Sequence, residues 1–203
     1  MKAQDCLNIL REIRDVAFAT VDEKGKPQVR IIDIMLVEEG KLFFCTARGK
    51  NFYRELTEAG ETAVTGMNKS YQMVRLSGKV SRVKEQREKI DRIFEENPAM
   101  KDVYPGDSRY ILEAFCIEDG ELEFFDLGRS PIFRESFVLG KQGRITKGYR
   151  ITDQCTGCGV CQNICPQQCI RKGTPREIAK EHCLHCGLCY ENCPVRAVER
   201  REL

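Results

Sequence analysis

The sequence predicts an α+β chain in two parts: an antiparallel barrel of six or seven short strands, followed by a small module organised by cysteines. Three observations predict it. Through the first 128 residues, strand-length apolar runs rich in β-branched side chains alternate with polar turns and a few short helices. Of twelve cysteines, nine fall between Cys155 and Cys193. That same stretch holds an internal repeat, CTGCGVCQNICP (155–166) recurring as CLHCGLCYENCP (183–194) at an offset of 28 residues.

Taken in order, Cys6, Leu7, Ile9, Leu10 and Ile13 form the apolar stripe of an amphipathic helix. VAFATV (16–21) is a strand, DEKGKP (22–27) a turn, and QVRIIDIMLV (28–37) a long β-branched strand. After the turn at Glu38–Lys41 comes the strand LFFCTA (42–47). A helix follows Gly49, with Phe52, Tyr53 and Leu56 inward and its end near Gly60. ETAVTGM (61–67) and MVRLSGKVSRV (73–83) are strands. KEQREKIDRIFEEN (84–97) is a helix that buries Ile90, Ile93 and Phe94 and stops at Pro98. YILEAFCIEDGELEFFDLG (110–128) reads as a hairpin around Asp119-Gly120. This many antiparallel strands with so few helices predict a closed barrel rather than a βαβ sheet. The Gly- and Lys-rich stretch 136–149 is the expected linker, which places one domain at 1–135 and the other at 150–203.

Composition narrows the function. Apolar residues at 41% and charged residues at 32% suit a folded globular chain. The formal charge of +2 supplies no basic field for phosphodiester backbones, so nucleic acid is not an expected partner. No apolar run reaches bilayer length, and the charged N-terminus lacks the apolar core of a signal peptide. A cytoplasmic location with no membrane partner is expected. Cysteines crowded into one end of such a chain point to metal rather than to disulfides.

Each repeat reads C-x2-C-x2-C-x3-C-P, the bacterial spacing for a cubane [4Fe–4S] cluster. Three thiolates two residues apart wrap one face of a cube, while the fourth, on the following helix, points to the other cube. That assigns Cys155, Cys158, Cys161 and Cys193 to one cluster and Cys183, Cys186, Cys189 and Cys165 to a second. Gly159 and Gly187 allow the tight bends, and Pro166 and Pro194 fix φ as the chain leaves. Zinc is the alternative, but its sites use paired C-x2-C units, not three cysteines in succession. Cys169 reads as a small buried hydrophobe, and His182 and His185 as loop surface. Cys6, Cys45 and Cys116 fall on apolar faces and read as core.

On these motifs residues 150–203 strongly resemble the two-cluster bacterial ferredoxin domain. Free ferredoxins are acidic, whereas residues 150–203 hold eight Lys/Arg against six Asp/Glu, which suits a built-in wire better than a roaming carrier.

Residues 1–135 are similar to the pyridoxamine 5′-phosphate oxidase-like FMN-binding split barrels. The likeness lies in LREIRDVAFATV with its turn at Gly25 and Pro27, PQVRIIDI, LFFCTARGKNFYREL and VRLSGKV. It implies FMN contacts at Arg30, Thr46, Arg48, Lys50, Asn51 and Arg75, and a homodimer with FMN at its two-fold interface. A phosphate needs cations and donors at a helix start, and residues 46–51 supply them. The blander interpretation sends Arg30 outward and leaves Lys50 solvated. A deazaflavin is an alternative occupant, whereas an axial haem histidine from the barrel is excluded because both histidines lie in the tail. The absence of Trp departs from the authentic oxidase and makes vitamin B6 oxidation doubtful.

The function expected is a flavin- and iron–sulfur-dependent oxidoreductase. It would pass electrons between two clusters and FMN, to or from a small-molecule substrate or a redox partner protein. The alternative is an electron relay with no substrate of its own. No residue is a candidate acid–base group or nucleophile.

Overall fold

The computed structural model describes residues 1–141 and 147–201. The middle of the expected linker, 142–146, and the last two residues lie outside the described residues. The chain divides into two compact units, Met1–Glu123 with the stretch from Phe137, and Phe124–Ser136 with the tail.

In the first unit the order is α1 (Ala3–Ile13), β1 (Asp15–Val21), β2 (Pro27–Asp33), β3 (Leu36–Glu38), β4 (Lys41–Ala47), α2 (Asn51–Ala59), β5 (Glu61–Met67) and β6 (Gln72–Arg82). Then come α3 (Gln86–Glu96), α4 (Met100–Val103), a 3-10 turn at Gly106–Ile111, β7 (Leu112–Asp126) and β8 (Phe133–Leu139). The sheet runs β2-β1-β5-β6-β7-β4-β3, with β8 also on β7, which makes eight strands where the pattern suggested six or seven. β2 and β3 sit at opposite ends of this path, yet only Ile34 and Met35 separate them in sequence. From Asp33 to Leu36 the backbone spans at most about 11 Å at 3.8 Å per Cα step. The sheet therefore curls until its ends nearly meet, giving the curled antiparallel half-barrel expected of a split barrel.

This same junction corrects the expected single strand 28–37. The Ile34 amide bonds to the Arg14 carbonyl and the Met35 amide to the Phe43 carbonyl, both at 2.9 Å. The chain thus leaves the β1 ladder and joins β4 within two residues. The expected hairpin at Asp119-Gly120 is also corrected, because β7 runs unbroken through both residues. A Cβ on Gly120 would lie 2.4 Å from the Ser77 carbonyl oxygen and 2.7 Å from the Gly78 Cα. Gly120 is there because two backbones cross closely, not because the chain turns.

The core has two layers. Phe18, Phe44, Phe52 and Phe115 fill the inside of the curl, with Phe18 and Phe44 rings 4.6 Å apart. On the outer side, Phe43, Cys45, Ala47, Ala114 and Cys116 pack under Ile90, Ile93 and Phe94 of α3. β4 and the first half of β7 are therefore buried on both faces, which is why LFFCTA shows no polar alternation.

In the second unit, β9 (Gly148–Ile151) pairs with β12 (Val198–Arg201), so the first and last described segments of the tail are hydrogen-bonded together. Between them lie α5 (Val160–Ile164), β10 (Ile170–Arg171), β11 (Glu177–Ile178), a 3-10 turn at Lys180–His182 and α6 (Leu188–Glu191). α5 and α6, and the starts of β10 and β12, are offset by the same 28 residues as the sequence repeat. The ends of the expected linker are strands: residues 136–139 finish β8 and 148–149 begin β9.

Candidate functional site

Each unit holds one candidate site. In the first, Arg30, Lys50 and Asn51 line a single cleft of about 480 Å³, with Asp22, Lys24, Phe52, Arg54 and Glu55. Register places Arg30 opposite Phe18, so its side chain is on the inner face of the curl rather than outward in solvent. There its guanidinium lies 4.5 Å from the Phe52 ring centroid, donates to the Thr20 hydroxyl at 2.8 Å and pairs with the Glu55 carboxylate at 2.8 Å. Glu55 is only 4% exposed and also accepts from Thr20. The sequence reading missed Glu55, although its place three residues after Phe52 sets an acid on the apolar stripe of α2.

α2 starts at Asn51 with no side-chain cap on its first amides and no acid in its first turn. Lys50 makes no ion pair among the described residues. Thr46, at the end of β4, is 2% exposed, and its hydroxyl has no hydrogen-bond partner among the described residues. An uncapped helix start, a free lysine and an orphaned buried hydroxyl are the features a phosphate group would satisfy. The residues present therefore fit the phosphate of a flavin mononucleotide.

Three expected contacts, Thr46, Arg48 and Arg75, are not among the residues that line the cleft. Arg48 donates to the Tyr110 carbonyl at 2.8 Å and lies 3.8 Å from the buried Glu113 carboxylate, which also binds Arg82 and the Tyr53 hydroxyl. Arg75 belongs to the opposite face of the sheet. The cross-strand row Ile31–Ala17–Thr65–Arg75 puts it on the outward side, 3.8 Å from Glu123. Cys45 and Cys116 are buried thiols, pushed up to about 12 and about 11 chiefly by burial, so they are poor nucleophiles at neutral pH.

In the second unit the two cysteine loops repeat each other in conformation. Gly157 and His185 occupy equivalent positions at φ of 73° and 56°, followed by Gly159 and Gly187 at 88° and 83°. This left-handed bend turns backbone amides toward sulfur: Gly157 N–H to Cys155 and His185 N–H to Cys183, each at 3.4 Å, and Ala197 N–H to Cys193 at 3.2 Å. Arg176 braces the first loop through the Gly157 carbonyl at 2.9 Å, and Arg134 reaches the Cys183 carbonyl at 3.4 Å. Amides aimed at thiolates stabilise the negative charge an iron–sulfur cube carries, so these residues fit that group. His182 is not loop surface alone, since its ring nitrogen lies 2.8 Å from the Ile132 carbonyl oxygen. Cys169 is buried as expected, but its sulfur lies 3.5 Å from that of Cys165.

Several solved structures resemble this chain in fold. A NimC/NimA family protein from Clostridium acetobutylicum superposes with a TM-score of 0.58 at 25% identity, over 68% of this chain and 92% of that one. PhzG from Burkholderia lata, solved with tetrahydrophenazine-1-carboxylic acid, superposes at 0.51 with 18% identity, over 70% and 83% of the two chains. A heme-binding protein from Mycobacterium smegmatis superposes at 0.52 with 14% identity, over 68% and 58%. At these two lower identities the likeness is one of fold. No curated protein matched the sequence. Residues 147–194 match a 4Fe–4S dicluster domain, and with the barrel this gives the chain a redox or electron-transfer role. Residues 3–110, more than half of the chain, match the pyridoxamine 5′-phosphate oxidase family, and the chain belongs to that family.

Proposed function

We propose that this chain is a flavin- and iron–sulfur-dependent oxidoreductase that passes electrons between two [4Fe–4S] clusters and a bound FMN, to or from a small-molecule substrate. The observation that carries the proposal is one chain holding both a phosphate-ready cleft, with the unsatisfied Thr46 hydroxyl beside it in sequence, and two amide-lined cysteine loops. Bound FMN would supply a centre that takes electrons singly and passes them on in pairs. The chain's own residues do the placing. Lys50 and the α2 amides would hold the phosphate, and Arg30, fixed by Glu55, would complete the cleft. Cys155, Cys158, Cys161 and Cys193 would hold one cluster, and Cys183, Cys186, Cys189 and Cys165 the other.

The working unit is a homodimer. On the outward face of β2, Val29 and Ile31 are 72% and 64% exposed, in rows that continue through Ala19 and Ala63 and through Ala17 and Thr65. A second copy would cover this apolar strip, and Arg75 lies at its end. Among the described residues no helix is long and apolar enough to cross a membrane. A reducing compartment such as the cytoplasm, where cluster thiols stay reduced, is expected.

Lys50→Glu tests the assignment. After anaerobic reconstitution with iron, sulfide and FMN, the variant should keep its iron but lose flavin, and dithionite should then bleach cluster absorbance alone. Flavin retained as tightly as in the unmodified protein would remove the cleft from the mechanism.

A further inference from the structure

The two cysteine repeats share their four cysteines, a glycine and a proline, and at one buried position they differ by a sulfur. Where the second repeat has Ala197, fully buried, the first has Cys169, 6% exposed. The Cys169 sulfur lies 3.5 Å from that of Cys165 and also interacts with the Cys183 thiol. Cys165 and Cys183 come from different repeats, yet both belong to the same proposed ligand set. A ninth cysteine therefore sits against the sulfur of a ligand of one proposed cluster. The remaining polar surroundings differ at one point, the Ala197 amide, which reaches the Cys193 sulfur of the other set at 3.2 Å. One arginine braces each loop, Arg176 on the Gly157 carbonyl and Arg134 on the Cys183 carbonyl. One amide reaches the first cysteine of each loop, at 3.4 Å in both.

We propose that Cys169 is a positioning residue that tunes one cluster alone, its S–H donating to the Cys165 sulfur and raising the potential of that cluster. The proposal rests on the two-cluster assignment made above. The physical reason is that each cluster gains one negative charge on reduction. A donor aimed at its ligand sulfurs stabilises the reduced form more than the oxidised one. A neutral cysteine carries one such donor, and alanine carries none. No bond forms or breaks. An electron shared by the pair would be drawn to the Cys165/Cys183/Cys186/Cys189 cluster more strongly than if alanine stood at position 169.

The test is an anaerobic dithionite titration of the full chain, followed by electron paramagnetic resonance, with iron and sulfide measured on every sample. The unmodified protein should show two one-electron steps. In Cys169→Ala one step alone should fall, by about tenfold in its equilibrium constant, which is about 59 mV for one electron. Iron content should not change. Cys169→Ser, which keeps a donor, should lower the same step by less and serves if the alanine variant loads poorly. Ala197→Cys should raise the other step instead. Full iron with both steps unmoved in Cys169→Ala, or moved equally, overturns the role of Cys169 and leaves the cluster assignment standing. A chain that takes up no iron overturns both.

Discussion

Removing Arg30 should damage the barrel before it affects any chemistry. Glu55 is 4% exposed, and among the described residues its carboxylate pairs with the Arg30 guanidinium and the Thr20 hydroxyl at the inner wall of the cleft. Arg30→Ala leaves that carboxylate buried beside one neutral donor, and strips the cation from the Phe52 ring. Breaking a fully buried pair from one side costs about 3–5 kcal/mol. The Arg30 side chain is 23% exposed, so water softens the loss toward the lower end, about 3 kcal/mol. Glu55→Gln keeps the shape and an accepting oxygen, and should cost about 1–2 kcal/mol. Arg30→Met with Glu55→Leu removes both charges and should recover most of the deficit. Native-state hydrogen exchange at the α2 amides reports the barrel separately from the tail. Protection there should fall about a hundredfold in Arg30→Ala, since each 1.4 kcal/mol is tenfold. Arg75→Ala, exposed on the opposite face, is the control. Equal protection in Arg30→Ala and Arg75→Ala would refute the buried-pair reasoning.

The remaining predictions test separate parts of the structure. Gly120→Ala should lower the barrel's melting temperature sharply, because its Cβ would lie 2.4 Å from the Ser77 carbonyl oxygen; an unchanged melt would restore the hairpin. Ile31→Lys should convert a dimer to monomers in sedimentation, with helix and strand content unchanged; persistent dimers would move the interface elsewhere. Iodoacetamide at pH 8 should leave Cys45 and Cys116 unmodified in the folded chain and label both after unfolding, read by peptide mapping. Their folded pKa values are raised above the ordinary value of 9, so the unfolded chain loses those protons first. Their contribution to stability is full below pH 9 and declines as pH rises toward about 11 for Cys116 and about 12 for Cys45.

What could be read from the sequence was mostly local. The cysteine loops were legible because every ligand lies within a twelve-residue motif and spacing alone sets their geometry. Apart from the stretch 28–37, the strands and helices up to Asn97 were legible from periodicity, and so was the placement of Lys50 and Asn51 at a helix start. Long-range pairing was not legible. QVRIIDIMLV has no turn residue in it, yet it changes ladder at Ile34 because two different neighbours bond its halves. Asp119-Gly120 looked like a turn because glycine serves turns and close backbone crossings alike. Arg30 sits in an ordinary alternating strand, and only its register against Phe18 decides that it faces inward. Arg48 stands in the phosphate motif but is drawn to Glu113, sixty-five residues further along the chain, which no local pattern could reveal. The segment Phe124–Ser136 clusters with the tail through bonds such as Ile132 N–H to Gln167, a partner chosen by tertiary packing alone.

The central claim is that one chain holds FMN and two cubane clusters, and cofactor stoichiometry tests it most directly. The measurement is an anaerobic absorbance spectrum with iron, acid-labile sulfide and acid-released flavin determined on the same sample. The account predicts about eight irons per chain, two cubes of four, together with about one FMN. Eight irons with no flavin, even after incubation with excess FMN, would contradict it and leave the barrel without its proposed cofactor.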